Sequence, residues 1–377
     1  MAKILQTIAG LGAKSGGTST CTYDLIKAMH NLGCDVDLMT LRAEDLLGNG
    51  ERWIKALPDD AISSYGYSRN MNRILYDSNY DVYHTNGMWM HCNHETCLVA
   101  RKKGKPYIIT PHGMLYPQAL ARSAWKKKLL LAIGGVAKDL KYAACIHATC
   151  RIEMEHYRAL GYNTPIAVIP NPVTIPDYIS NATIQGERKS IGYLGRLHPY
   201  KRPDALIKAW ARLKDETAGF ELILMGKGTD AYERYLQSLV NELQLKNVLF
   251  SGMVTGKEKF RLLASMRALC VPSKTENFGM TVAEALTAQT PVICTNTAPW
   301  EELNTHCCGW WVENDIDTLA RTIREALLLP QCEIDNMGKN GKLLVETNYS
   351  AERVALKMKR LYEWILTGGE KPEFVYL

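Results

Sequence analysis

The stretch Glu276-Asn277-Phe278-Gly279-Met280-Thr281-Val282-Ala283-Glu284 follows an apolar run, Ala268 to Val271, and the punctuating pair Pro272-Ser273. Beyond Gly279 the apolar residues Met280, Ala283 and Leu286 recur at helical spacing, so the segment reads as strand, loop and helix start. Gly279 lets the backbone approach a ligand closely at that start. The unpaired N–H groups of the first helical turn then point outward as an anion site. Glu284 lies about one turn inside the helix and Glu276 in the loop before it. One carboxylate suits ribose hydroxyls and the other a sugar, although a loop acid and a solvated helix acid fit the same spacing.

Working outward, the same strand-then-loop grammar recurs. Gly195-Arg196-Leu197-His198-Pro199-Tyr200-Lys201 follows the strand-like Ile191–Leu194. Two cations and a glycine at a strand end suit a diphosphate, the arginine through its forked donors and the lysine as a point charge. Gly226-Lys227-Gly228 follows Glu221–Met225 in the same way. Strand-like runs at Ser190–Leu194, Glu221–Met225, Val248–Phe250, Leu269–Val271, Val292–Thr295 and Trp310–Val312 alternate with helical patterns such as Arg202–Lys214 and Tyr232–Leu243. The first half shows the same rhythm, with strands at Ile4–Ile8, Val36–Thr40, Val82–Thr85, Tyr107–Thr110, Cys145–Ala148 and Ile166–Ile169. A helix over Thr18–Leu32 stops at Gly33. Pro170-Asn171-Pro172 through Pro176 and the polar stretch to Lys189 interrupt the alternation as a linker. Alternation of this kind predicts parallel sheets with helices on both faces, here two doubly wound domains in tandem. The expected division is 1–176, 177–350 and a terminal helix over 351–377 that packs back on the first domain. Ligands bind at strand C-terminal ends in such folds, so the two domains are expected to face a central cleft.

Composition agrees with a globular chain. Of 377 residues 46% are hydrophobic and 22% charged, long enough for two cores. No run approaches the roughly 20 apolar residues of a membrane span, and the start lacks a secretory h-region. Eleven cysteines without any C-x-x-C pair read as scattered thiols in a reducing cytoplasm. The net charge of +6 is uneven, with Arg101-Lys102-Lys103 and Lys126-Lys127-Lys128 in the first half. The segment Trp125–Tyr142 reads as an amphipathic helix suited to an anionic bilayer surface or to core packing.

Other first-half features are individually weak. Gly10-Leu11-Gly12-Ala13-Lys14-Ser15-Gly16-Gly17-Thr18 joins the first strand to the first helix. Ser15 breaks the dinucleotide fingerprint and Ala13 breaks the P-loop, leaving a donor-rich loop at a helix N-terminus. Thr110-Pro111-His112-Gly113 puts His112 at a strand end, where it could reach a sugar hydroxyl or be merely structural. Asp35-Val36-Asp37 has D-x-D spacing but opens a strand, away from the ligand end. His91, Cys92, His94 and Cys97 are crowded, but a helix would scatter them around its axis, unlike a zinc motif.

Taken together these motifs resemble the large family of retaining glycosyltransferases with the GT-B fold, family 4-like and of the bacterial surface-polysaccharide type. The E-x(7)-E pattern is met by Glu276 and Glu284, the basic pair by Arg196 and Lys201, and the interdomain turn by Pro170-Asn171-Pro172. The resemblance implies a hexose transferred from a nucleotide diphosphate sugar, with UDP preferred over GDP, to a glycan or polyprenyl-diphosphate-linked acceptor. It implies catalytic roles for His112, Arg196, Lys201 and Glu276. Donor contacts are implied for Gly16, Gly17, Gly195, Gly228, Asn277, Phe278, Gly279, Met280, Thr281 and Glu284. No metal or other cofactor is implied, the nucleotide sugar being a substrate, and no nucleic acid partner. The expected location is cytoplasmic, with peripheral contact at the inner membrane face. Two departures stand out: Asn296-Thr297-Ala298-Pro299-Trp300-Glu301 replaces the family's Gly-Gly-x-Pro-Glu stretch, and Pro172 replaces a glycine. The competing readings are a GT-B sugar-nucleotide epimerase, an NAD-dependent oxidoreductase using the Gly10–Gly17 loop, and a nucleotide-sugar-binding subunit without catalysis.

Overall fold

The computed structural model describes residues 2–12, 16–41, 45–58, 62, 65–132, 134–180 and 186–377. Ala13, Lys14 and Ser15 of the first loop, and Ile133, lie outside the described residues. The chain divides into unit 1, Met1–Pro172 with Ala351–Leu377, and unit 2, Val173–Ser350.

Unit 1 is built on one sheet of eight strands: β1 (Lys3–Gly10), β2 (Asp35–Leu41), β3 (Ile54–Leu57), β4 (Val82–Asn86), β5 (Tyr107–Thr110), β6 (Cys145–Ala148), β7 (Ile166–Val168) and, from the chain's end, β14 (Val375–Tyr376). Their spatial order is β3-β2-β1-β4-β5-β6-β7-β14. Every pair is parallel except β14, which runs antiparallel to β7. The chain winds one way from β1 to β3 and then the other way from β4 onward. The switch point therefore lies between β1 and β4. Period-two alternation places Ile4 and Ile8 on the face covered by helices α1 (Gly17–Asn31) and α5 (Ala351–Thr367), with Leu25, Met29, Val354, Met358 and Leu361. Leu5 packs on the opposite face with Tyr83, Val99 and Ile109, where α2 (His91–Lys102) lies.

Unit 2 has six parallel strands: β8 (Ser190–Leu194), β9 (Glu221–Met225), β10 (Val248–Gly252), β11 (Ala268–Val271), β12 (Val292–Thr295) and β13 (Gly309–Val312). Their order, β10-β9-β8-β11-β12-β13, reverses between β8 and β11. One face buries Ile191, Leu222, Leu224, Trp210 and Ile323; the other buries Leu269, Val271, Val282, Leu286 and Trp300. The second face carries α3 (Gly256–Ser265) and α4 (Met280–Thr287).

Two expectations are corrected by local geometry. The helix expected over Trp125–Tyr142 is two helices, Ala124–Ala132 and Val136–Tyr142. Gly135, at φ 82°, takes the left-handed conformation that starts the second. Short β3 and β14 were hidden from pattern reading: β3 is a partly buried edge strand and β14 has two residues. All eleven cysteines are free thiols, and among the described residues no helix is long and apolar enough to cross a membrane.

Candidate active site

The unit 2 switch point brings together the loops after β8 and β11, the two loops singled out in the sequence. Lys201 Nζ pairs with Glu276 Oε1, which also accepts from Ser273 Oγ at 2.8 Å. The loops are tied by the Lys274 N–H, which donates to the Tyr200 carbonyl at 2.8 Å. The Ser273 carbonyl is the anchor of this corner. It accepts from Thr295 Oγ1 (2.9 Å), Thr297 Oγ1 (2.6 Å) and Asn314 Nδ2 (2.9 Å). The Glu276 side chain is only 10% exposed and that of Lys201 35%, so the pair is partly desolvated and open to a ligand on the lysine side. Arg196 is exposed, and its guanidinium has no partner among the described residues, which leaves its forked donors for an anion.

Two glycines of this corner have a steric reason. A Cβ at Gly228 would lie 2.3 Å from the Leu197 carbonyl oxygen, because the loops after β8 and β9 pair directly through Leu197 and Gly228. Gly195, at φ 152°, turns the chain out of β8. The Gly228 N–H donates to Glu233 Oε1 at 2.6 Å, so that group is already engaged.

Helix α4 begins at Gly279, which has φ 83° and offers no side-chain cap. The first-turn N–H groups of Met280 and Thr281 are thus presented at the loop, as the sequence reading expects. Beneath them sits a residue that reading did not use. The indole N–H of fully buried Trp300 donates to the Phe278 carbonyl at 2.5 Å, and the Phe278, Trp300 and Tyr349 rings pack at centroid distances of 5.0–5.6 Å. A Cβ at Gly279 would come within 3.3 Å of Trp300 Nε1. The Asn296–Glu301 departure therefore supplies the floor under the Glu276–Gly279 loop. Its only advance signal was a tryptophan in an unusual loop. Glu284 is held by Lys259 of α3 at 2.9 Å, a partner invisible to sequence spacing.

In unit 1, Gly16 caps α1 at φ 97° and accepts from the Ser19 and Thr20 N–H groups. Both Gly16 and Gly17 are exposed at the C-terminal side of β1, beside the unit 1 switch point. His112 follows β5 with φ 52°, a left-handed conformation costly for a residue with a side chain, and its Nε2 lies 3.2 Å from Asn86 Oδ1 at the end of β4. Burial, with His147 nearby, pushes its imidazole down to about 3, so it is neutral at physiological pH. The loop is clamped by the buried Glu153 carboxylate, which accepts from the Gly113 N–H, the Thr149 N–H (2.7 Å) and Thr149 Oγ1 (2.9 Å). Burial raises the Glu153 carboxyl, while these donors favour its charged form.

The discounted features are accounted for. Asp37 bonds Lys55 and Tyr80 at the start of β2. On α2, His91 meets Asn72, His94 meets Asp139, and Cys92 and Cys97 are buried. Among the described residues no three His, Cys, Asp or Glu side chains cluster as a metal site.

Two family profiles cover this architecture in tandem. Glycosyltransferase Family 4 matches residues 15–175, and Glycosyl transferases group 1 matches residues 175–361. The chain belongs to the family 4-like GT-B glycosyltransferases. Solved members of this fold match almost end to end. HepE of Anabaena, in complex with UDP, superposes with a TM-score of 0.75 over 96% of this chain and 99% of that one, at 16% identity. WaaG, a glycosyltransferase involved in lipopolysaccharide biosynthesis, gives 0.70 over 97% and 100%, also at 16% identity. Among curated relatives, an uncharacterized glycosyltransferase of Methanocaldococcus jannaschii is 28% identical over 48% of this chain and 46% of its own length. The lipopolysaccharide core mannosyltransferase LpcC of Rhizobium leguminosarum is 25% identical over 57% of this chain and 61% of its own. The chain thus spans about half the length of the curated relatives it matches.

Proposed function

We propose that this glycosyltransferase moves a hexose-type sugar from a nucleotide diphosphate sugar, with retention and without a metal, to a glycan or lipid-linked glycan in bacterial surface polysaccharide synthesis. The observation that carries the reading is the pairing of Lys201 with Glu276 at the unit 2 switch point, in the loops that also hold Arg196 and the uncapped start of α4. Arg196, Lys201 and the α4 N–H groups offset the negative charge that grows on the departing nucleotide. Glu276, moving from Lys201 toward the sugar hydroxyls, positions the donor sugar. Glu284, oriented by Lys259, accepts from the ribose. The acceptor hydroxyl attacks from the face that the nucleotide leaves. The UDP and UDP-glucose complexes of HepE and the mannosyltransferase relatives support a nucleotide-sugar donor. UDP is the preferred base, and the working place is the cytoplasmic face of the membrane.

The test is thermal unfolding with UDP, GDP, ADP, CMP and NADH, followed by product anomer analysis with the nucleotide sugar that responds. A ligand at about 100 times its Kd adds roughly 2.7 kcal/mol to the folded state, a shift of a few degrees at this size. Stabilisation by one nucleoside diphosphate and a retained anomer are expected. A response to NADH alone, an inverted product, or donor conversion without acceptor defeats the proposal.

A further inference from the structure

A single line of hydrogen bonds crosses the core of unit 1 and ends on His112. At its far end His147 Nε2 lies 2.8 Å from the Ile169 carbonyl. A carbonyl only accepts, so Nε2 carries the proton and His147 Nδ1 is a bare acceptor. Thr110 Oγ1, 2.8 Å away, must then donate to it. The Thr110 oxygen accepts in turn from His84 Nε2 at 2.6 Å, which leaves His84 Nδ1 to accept from the Tyr362 hydroxyl at 2.6 Å. Tyr362 accepts from Gln6 Nε2 (2.9 Å), and Gln6 Oε1 accepts from Asn86 Nδ2 (2.9 Å). Asn86 Oδ1 is the acceptor left facing His112 Nε2.

The Asn86 orientation has an independent check. Its Nδ2 also lies 3.5 Å from the Thr7 carbonyl, so the flipped amide would set an oxygen against two oxygens, those of Thr7 and Gln6. His84 and His147 are neutral links: burial lowers both, His147 to about 4. Each link passes one donor to the next acceptor, and the direction is fixed by one backbone carbonyl.

We infer that this line holds His112 as the Nε2–H tautomer, so that its Nδ1, which has no partner among the described residues, accepts a hydrogen bond from a hydroxyl of the sugar substrate. Asn86 is then a positioning residue, and Gln6, Tyr362 and His84 set the polarity behind it. The sequence reading made His112 a donor to a sugar; the line makes it an acceptor at Nδ1. The hydroxyl contact rests on the glycosyl-transfer reading above, whereas the tautomer does not.

The test is long-range proton–nitrogen correlation on protein labelled with ¹⁵N in histidine, at neutral pH, with the His112 signals assigned by His112→Gln. Wild type is expected to show a protonated Nε2 and a bare Nδ1 at His112, His84 and His147 alike. A protonated Nδ1 at His112 overturns the inference. Asn86→Ala should give His112 a tautomer mixture while His147 keeps its signals; an unchanged His112 removes Asn86 from the role. In kinetics, His112→Gln keeps a group near Nε2 but loses the acceptor, and should lower kcat/KM roughly ten- to hundredfold. His112→Asn, whose carbonyl oxygen falls near the Nδ1 position, should recover part of it. Wild-type activity in His112→Gln overturns the hydroxyl contact. If wild type transfers no sugar from any nucleotide while the tautomers are as stated, the transferase reading fails and the contact falls with it; the tautomer assignment stands.

Discussion

Lys201 and Glu276 satisfy each other, and the consequence is specific. A cation that meets the diphosphate most strongly as charge builds on it contributes to the transition state more than to ground-state binding. Lys201→Ala is therefore expected to lower kcat by at least about a hundredfold while the Kd for nucleotide changes much less. EDTA should leave the wild-type rate unchanged. Steady-state kinetics alongside calorimetric binding check both, and full inhibition by EDTA reversed by manganese contradicts the metal-free mechanism. Trp300 acts at the same corner without meeting a ligand. Trp300→Phe keeps the ring packing on Phe278 and Tyr349 but leaves the buried Phe278 carbonyl without its indole donor, a loss of about 1–3 kcal/mol of stability. Denaturant unfolding measures it, and an unchanged midpoint contradicts the floor role.

Among the elements, the helix Ala124–Ala132 divides one leucine run between the core and the exposed surface. Leu130 and Leu131 pack against the unit 1 core, whereas Trp125 and Leu129 stand exposed, four residues apart on one face, beside exposed Lys126 and Lys128. An apolar pair ringed by lysines fits an anionic bilayer surface. Co-sedimentation with vesicles containing anionic lipid is expected to fall when Trp125 and Leu129 are both changed to serine, with nucleotide binding retained. Binding that ignores lipid charge contradicts the assignment. The sequence made this segment one amphipathic helix. Period alone could not show the break at Gly134-Gly135, nor which leucines face the core.

For the molecule as a whole, the chain's return to unit 1 matters most. Helix α5 closes one face of the first sheet, β14 extends its edge, and Tyr362 joins the buried polar line. The three histidines of that line bring a pH dependence with a definite sign. The His147 pKa falls from 6.5 to about 4 on folding, so below pH 6.5 the unfolded chain binds a proton that the folded one refuses. Stability is full above pH 6.5 and is lost as pH falls toward 4, by about 1.4 kcal/mol per unit for this group. Glu153, raised by burial, opposes the slope at the acid end. The difference between wild type and His147→Gln in denaturant midpoints isolates the histidine. That difference should shrink from pH 7 to pH 4, and a constant difference contradicts a buried neutral His147.

Local chemistry in the sequence determined the alternation of strands and helices, the glycine and proline punctuation, and the residues at strand ends. Those follow from side-chain period, backbone freedom and residue charge, all carried by short segments. That Glu276, Lys201 and Arg196 stand on loops after strands was legible, because the alternation of strands and helices locates the strand ends. Only the tertiary structure decided that Lys201 meets Glu276 75 positions away, that Trp300 floors the α4 start, that Lys259 holds Glu284, and that Gln6, His84, Asn86 and Tyr362 form one line behind His112. These pairings join segments that are neighbours in space and distant in sequence. Hydrogen bonds a few ångströms long depend on that neighbourhood, and no local spacing records it.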